Sequence, residues 1–194
     1  MPNKILVQAS DGTPKQMVFA DVGGDFSPTA ANDLRDGTAG NRTDTQWASA
    51  SLANGSYRQS AKCDLSTDRA PSYVARMAVE IAATPTAGNL IELYWAPSYS
   101  ATAGNGNPGG VSGSDAAYTG YSSNADASVR QLQYIGAFIC TAQATATVQV
   151  GIVGVFEPQE RYGSLVVKNS SGAAFFTDDV EIHVVLDPIV PEIQ

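Results

Sequence analysis

Charge is scarce in this sequence. Asp, Glu, Lys and Arg supply 15% of its 194 residues, where globular domains ordinarily carry about a quarter. The few charges lean one way, 19 acids against 11 bases, for a net charge of -8 at pH 7. Such a chain repels phosphate backbones and lacks the basic stripe that gives nucleic-acid affinity. Nucleic acid and anionic membrane surfaces are therefore not expected partners. Histidine occurs once, at His183, without partners at metal-ligand spacing, so a histidine-based metal centre is not expected. No GxSxG elbow is present to supply the nucleophile of a Ser-His-Asp triad. Cysteine occurs twice, at Cys63 and Cys140, outside any CxxC pair. Two buried free thiols are expected, with neither a zinc site nor a disulfide. Long apolar runs are missing too. "MPNKILVQASDG" holds a three-residue apolar run, too short for the core of a signal peptide. The stretch 148–156 contains Gln149 and two glycines and cannot cross a bilayer as a helix. Catalytic, cofactor-binding and metal-ligating residues are all expected to be absent.

Ser, Thr, Gly, Ala and Asn fill the space that charge leaves, a composition of short strands and polar turns. Period-two alternation dominates. "SYVARMAVEIA" puts Tyr73, Ala75, Met77, Val79 and Ile81 on one face, and "NLIELYWA" opposes Ile91, Leu93 and Trp95 to Leu90, Glu92 and Tyr94. Further strands are read in "LQYIGAFI", "ATVQVGIVGVFEP", "YGSLVVKNSSGAAFF" and "DVEIHVVLDPIV". "TQWASASLA" and "SYRQSAKCDL" alternate weakly on either side of Asn54-Gly55, which reads as a hairpin. Nine or ten short strands bounded by Gly, Asn, Asp and Pro predict an all-β fold, an antiparallel β-sandwich and most readily a jelly roll. Helix is expected only as a turn over 28–34 capped by Ser27, and as a turn or two within 126–133 capped by Asp126.

Two units are expected. Residues 1–45 read as an N-terminal β-hairpin arm, with strands over 5–9 and 16–20, followed by a polar connection; residues 46–194 form the sandwich body. The arm offers Ile5, Val7, Met17 and Phe19 as contact residues for strand addition to a neighbour's sheet edge. Deletion of residues 1–24 is accordingly expected to leave a folded monomer that no longer assembles.

The stretch "WAPSYSATAGNGNPGGVSGSDAAYTGYSSNADAS", residues 95–128, has no Lys, Arg, Leu, Ile or Phe. It contains a literal GxGxxG at Gly104, Gly106 and Gly109. A dinucleotide loop must follow a strand directly and open a helix; here the nearest strand ends near Trp95, and Pro108 interrupts the glycines. A flexible or loosely ordered surface loop is the better reading. Its Tyr99, Tyr118 and Tyr121 resemble the tyrosines of adaptable binding loops; they could also stack on a host-surface glycan, or anchor the loop to the body. Asp33, Asp36 and Asp44 could contribute oxygens to calcium, although DxDxDG spacing is lacking and acids are ordinary turn residues. Glu80 and Glu92, on successive predicted strands, could form a glycosidase pair, but read more simply as solvent-facing positions.

"LIELYWAPSYSATAGNGNPGGVSGSDAAYTGYS", "QLQYIGAFI" and "VGIVGVFEPQERYGSLVVKNSSGAAFFTDDVEIHVVLDPIVPEIQ" together resemble small structural proteins of tailed bacteriophages. The resemblance spans residues 90–194 and contains no catalytic motif. It implies a non-enzymatic virion component, a capsid decoration protein or a tail or baseplate component. Such a protein is a homo-oligomer assembled in the host cytoplasm, and its partners are the major capsid protein or tail proteins.

Overall fold

The computed structural model describes residues 14–67 and 69–189. The predicted strand over 5–9, with Ile5 and Val7, lies outside the described residues. Within them the chain forms β1 (Gln16–Ala20), β2 (Arg42–Gln46), β3 (Tyr57–Gln59), β4 (Cys63–Asp64), β5 (Ser72–Val79), β6 (Leu90–Ser98), β7 (Ala116–Ala117), β8 (Gln133–Ile139), β9 (Gln149–Phe156), β10 (Tyr162–Ser170) and β11 (His183–Ile189). One sheet runs β2-β1-β11-β5-β9. The other runs β7-β3-β10-β6-β8, with β4 also paired to β10. Every pairing is antiparallel except β1 with β2. Among the described residues helix is limited to α1 (Ala125–Ser128) and three short 3-10 turns, and none is long and apolar enough to cross a membrane. The fold is all-β, as the alternation predicts.

The alternating residues supply the core between the sheets. Tyr73, Ala75, Met77 and Val79 of one sheet meet Ile91, Leu93 and Trp95 of the other in one buried cluster. Trp95 is the joint. Its ring stands edge-on to Phe19 at 6.4 Å and tilted against Phe156 at 5.7 Å, both from the opposite sheet.

The N-terminal arm is corrected by β1. This strand lies inside the five-stranded sheet, with Met17 opposite Leu186 and Phe19 opposite Val184 on one side and β2 on the other. Met17 and Phe19 are 1% and 0% exposed, in the core of their own chain. The other face of β1 is covered as well, because Phe26 and Leu34 of the 21–41 connection pack on Val18, Ala20 and Val185. A strand buried on both faces holds its place by apolar burial. Residues 14–46 therefore belong to the body, and a division at residue 45 would cut through β2.

Asn54-Gly55 does turn the chain, with Gly55 at φ +81°, but it joins strands of different sheets, not a hairpin. Gly55 N donates to Asn169 O at 2.6 Å, and Asn54 Oδ1 accepts from Gly172 N at 2.9 Å, so the turn docks on the end of β10. No helix forms over 28–34. There Asp33 N reaches Thr29 O in a single turn. The helix α1 is capped by Asn124, which accepts from Ala127 N at 3.1 Å. Asp126 is drawn instead to the Tyr57 hydroxyl at 2.5 Å and the Lys168 ammonium at 3.0 Å.

One side of the two-sheet stack closes by an unusual route. β8 and β9 each carry a bulge, at Ile135 and Val153, where the register to β6 and β5 slips by one residue. Both bulged side chains turn inward and are buried, and a bulge bends its strand. The two strands touch through Gly136 and Gly154. A Cβ on Gly136 would overlap the Val153 carbonyl oxygen, and one on Gly154 would overlap that of Ile135.

Candidate interaction surface

The long Gly/Ser-rich segment is ordered, which corrects the loosely ordered loop expected from its composition. Lys62 sits under it and donates through Nζ to Ser98 Oγ at 2.9 Å and to the carbonyls of Ser100, Thr102 and Asn105 at 3.0, 2.8 and 2.8 Å. The ammonium gathers these carbonyls much as a bound cation would, and burial lowers its pKa. Further along, Gln59 exchanges hydrogen bonds with Ser112, and Asp115 takes Arg58 at 2.7 Å and Ala48 N at 3.1 Å. The glycines serve close packing: a Cβ on Gly110 would lie 2.8 Å from the backbone of Gly120. No helix follows Gly104, Gly106 and Gly109 directly, so they form no phosphate cradle.

Lys62→Met is expected to release this segment without unfolding the sheets. Charged hydrogen bonds are worth about 1.5–3 kcal/mol each, so amide exchange over residues 99–113 should rise at least about tenfold. Exchange in β5 and β10 should stay unchanged.

The three loop tyrosines separate. Tyr118 is buried; its hydroxyl donates to Gly109 O at 2.7 Å, and its ring meets Tyr57 at 5.8 Å among Val111, Val129 and Leu132. It anchors the loop and is not a surface contact. Tyr99 and Tyr121 are 75% and 53% exposed and remain free to meet a partner.

The other chemistry-bearing residues are committed elsewhere. His183 is fully buried, accepts Leu34 N on Nε2 at 3.1 Å and donates from Nδ1 to Glu181 O at 2.9 Å. Burial holds its pKa below the ordinary imidazole range, so it is a neutral clasp for the 21–41 connection. Asp33 is held by Arg35, Asp36 by Thr38 N, and Asp44 by Arg42; the structure does not gather them into one site. Asp21, Asp25 and Asp179 do approach, with ligand oxygens within 4.8 Å. Three oxygens at that separation could hold a hard cation, yet Asp21 already accepts from Gln46, Asp25 from Asp179 N and Asp179 from Ser49. Glu80 lies just past the end of β5 and Glu92 on β6 of the other sheet, where it faces Lys168 at 4.0 Å. Cys63 and Cys140 are buried and unbridged, with both thiols pushed up by burial, Cys140 to about 11.

What remains exposed and apolar lies on the β8–β9 side. Tyr134, Ile139, Val150, Ile152 and Val155 are 46–69% exposed, and Ile139, Val150 and Ile152 line one groove. Residues 131–156 contain no Asp, Glu, Lys, Arg or His. Long connections cover parts of both outer sheet faces: 21–41 lies over β1 and β11, and 99–132 packs on Tyr57, Ala96 and Val166. Among the described residues no such connection covers the β8–β9 side. Its signal in the sequence is the uncharged run itself, visible in a chain of net charge -8. No protein-family model, curated protein or solved structure matches this chain.

Proposed function

We propose that this protein is a non-enzymatic virion structural protein, of the capsid-decoration or tail type, that works by contact with copies of itself and with neighbouring subunits. The observation that carries the reading is the uncharged β8–β9 side, with its exposed Tyr134, Ile139, Val150, Ile152 and Val155. Exposed apolar surface of this kind marks interaction sites, and here the occupant is a second copy of the chain. Two molecules of charge -8 repel over most approaches. Residues 131–156 let them meet with no like charges opposed.

The strand order supports the same reading. We infer a jelly roll from β1-β11-β5-β9 in one sheet and β3-β10-β6-β8 in the other, all antiparallel. This is the architecture of two Greek keys that capsid and lectin domains use. Fold alone does not fix function; the resemblance of residues 90–194 to small phage structural proteins supplies the virion setting.

Sedimentation of the purified protein tests the contact. Wild type is expected to sediment as an oligomer at micromolar concentration. Ile139→Asp and Ile152→Asp should weaken association about 100-fold, since each places an unpaired charge in an apolar contact. Both variants should keep the wild-type circular dichroism, because both positions are exposed. A wild type that stays monomeric at every concentration sinks the self-contact. Specific glycan binding that is lost in Tyr99→Ala would favour a receptor-recognition module instead.

A further inference from the structure

At one end of the sandwich lies an open cleft of about 660 Å³ whose lining includes Glu80, Asp178, Glu181, Val148, Phe176 and Val180. Glu80 is only 8% exposed. Among the described residues nothing hydrogen-bonds or ion-pairs its carboxylate. Its neighbours are better served: Glu181 accepts from Thr29 N at 3.0 Å and Asn32 Nδ2 at 3.2 Å, and Asp178 accepts from Val180 N at 3.3 Å. Burial first, then the charges of Asp178 and Glu181, holds Glu80 above the usual carboxylate range.

Among the described residues no base ion-pairs with Glu80. Among the described residues the ion pairs are Arg35–Asp33, Arg42–Asp44, Arg58–Asp115, Arg76–Asp187, Arg161–Asp64 and Lys168 with Glu92 and Asp126. None reaches the cleft. A largely buried carboxylate that opens only onto the cleft and has no protein partner is costly to keep, and such a group calls for an explanation.

We propose that the cleft receives a lysine or arginine side chain from a partner protein, with Glu80, Asp178 and Glu181 taking the cationic head and Val148, Phe176 and Val180 packing the aliphatic stem. Apolar walls around a carboxylate floor match the two halves of such a side chain. A bare metal ion fits less well. The three carboxylates do not converge to ligand distance as Asp21, Asp25 and Asp179 do, and the volume far exceeds what an ion fills. Thr147 and Val148 line both this cleft and the β8–β9 groove, so a molecule seated on the groove is beside the cleft. The protein origin of the side chain rests on the contact reading above; the affinity of the cleft for the head group does not.

The test uses n-butylguanidinium as probe, followed by amide and carboxyl NMR shifts in wild type, Glu80→Gln and the contact variant Ile152→Asp. Saturable shifts at Glu80, Val148 and Val180 are expected in wild type and Ile152→Asp, with at least tenfold weaker binding in Glu80→Gln. Glu80→Gln removes a buried unpaired charge and should melt at or above the wild-type temperature, which separates lost binding from lost folding. Binding that persists in Ile152→Asp supports the cleft even if self-association fails. Absence of saturable shifts, equal binding by Glu80→Gln, or displacement of the probe by equimolar calcium would each overturn the proposal.

Discussion

Removal of residues 1–24 is expected to abolish folding itself, not assembly alone. The deletion takes away β1, an interior strand, and with it the ladders to both β11 and β2. Met17, Val18 and Phe19 are each at most 1% exposed, and full burial of such a side chain contributes about 1.5–3 kcal/mol. Three of them approach the whole net stability of a domain, about 5–15 kcal/mol. The edges of β11 and β2 would also lose their partner. Thermal denaturation followed by circular dichroism should show no cooperative transition for this variant. A chain that starts at Pro14 keeps every described contact and should retain one. Cooperative melting of the shorter chain within a few degrees of wild type would mean that β1 is dispensable and its buried register idle.

Gly136→Ala and Gly154→Ala are each expected to destabilise the fold strongly. Overpacking a core ordinarily costs about 1–3 kcal/mol. Here the added methyl would meet a backbone carbonyl oxygen from the facing strand, which no rotamer change can relieve. An expected loss of about 3 kcal/mol lowers the melting temperature of a domain this size by roughly 6–12 °C. Gly104→Ala is the matched control. A Cβ there meets nothing within 4 Å, and a surface change of this kind falls within about 0.5 kcal/mol. The double variant should fall short of the sum of its singles, because both methyls force apart the same two strands. Equal melting of Gly136→Ala and Gly104→Ala would mean that β8 and β9 do not touch there.

The strands that alternation makes legible are those with one buried face. Tyr73, Ala75 and Met77 lie in the core while Val74 and Arg76 between them are partly exposed, and "SYVARMAV" says as much by itself. β1 carries no such pattern because both its faces are covered, one by a connection whose Phe26 and Leu34 give no local hint of where they dock. Asn54-Gly55 illustrates a different limit. Turn chemistry is local, whereas the sheet a strand joins is decided by distant partners such as Asn169. Tyr99 and Tyr118 sit in nearly the same Ser/Gly/Ala surroundings, yet one is exposed and the other buried; the loop's path over Val111, Val129 and Leu132 decides between them. The cleft was invisible for a related reason. Glu80 and Glu181 come together only through the pairing of β5 with β11, which carries their neighbouring residues into one sheet.

The outermost strands differ from one flank of the molecule to the other. β2 carries the Arg42–Asp44 pair and β7 is two residues long, both recognised ways to discourage unwanted strand pairing. β8 and β9 have neither defence and carry only a bulge each. On the self-contact proposed above, one flank adheres and the other is inert, and two adhesive flanks that meet consume each other. Growth through that contact would stop at a finite pair and seed no fibre.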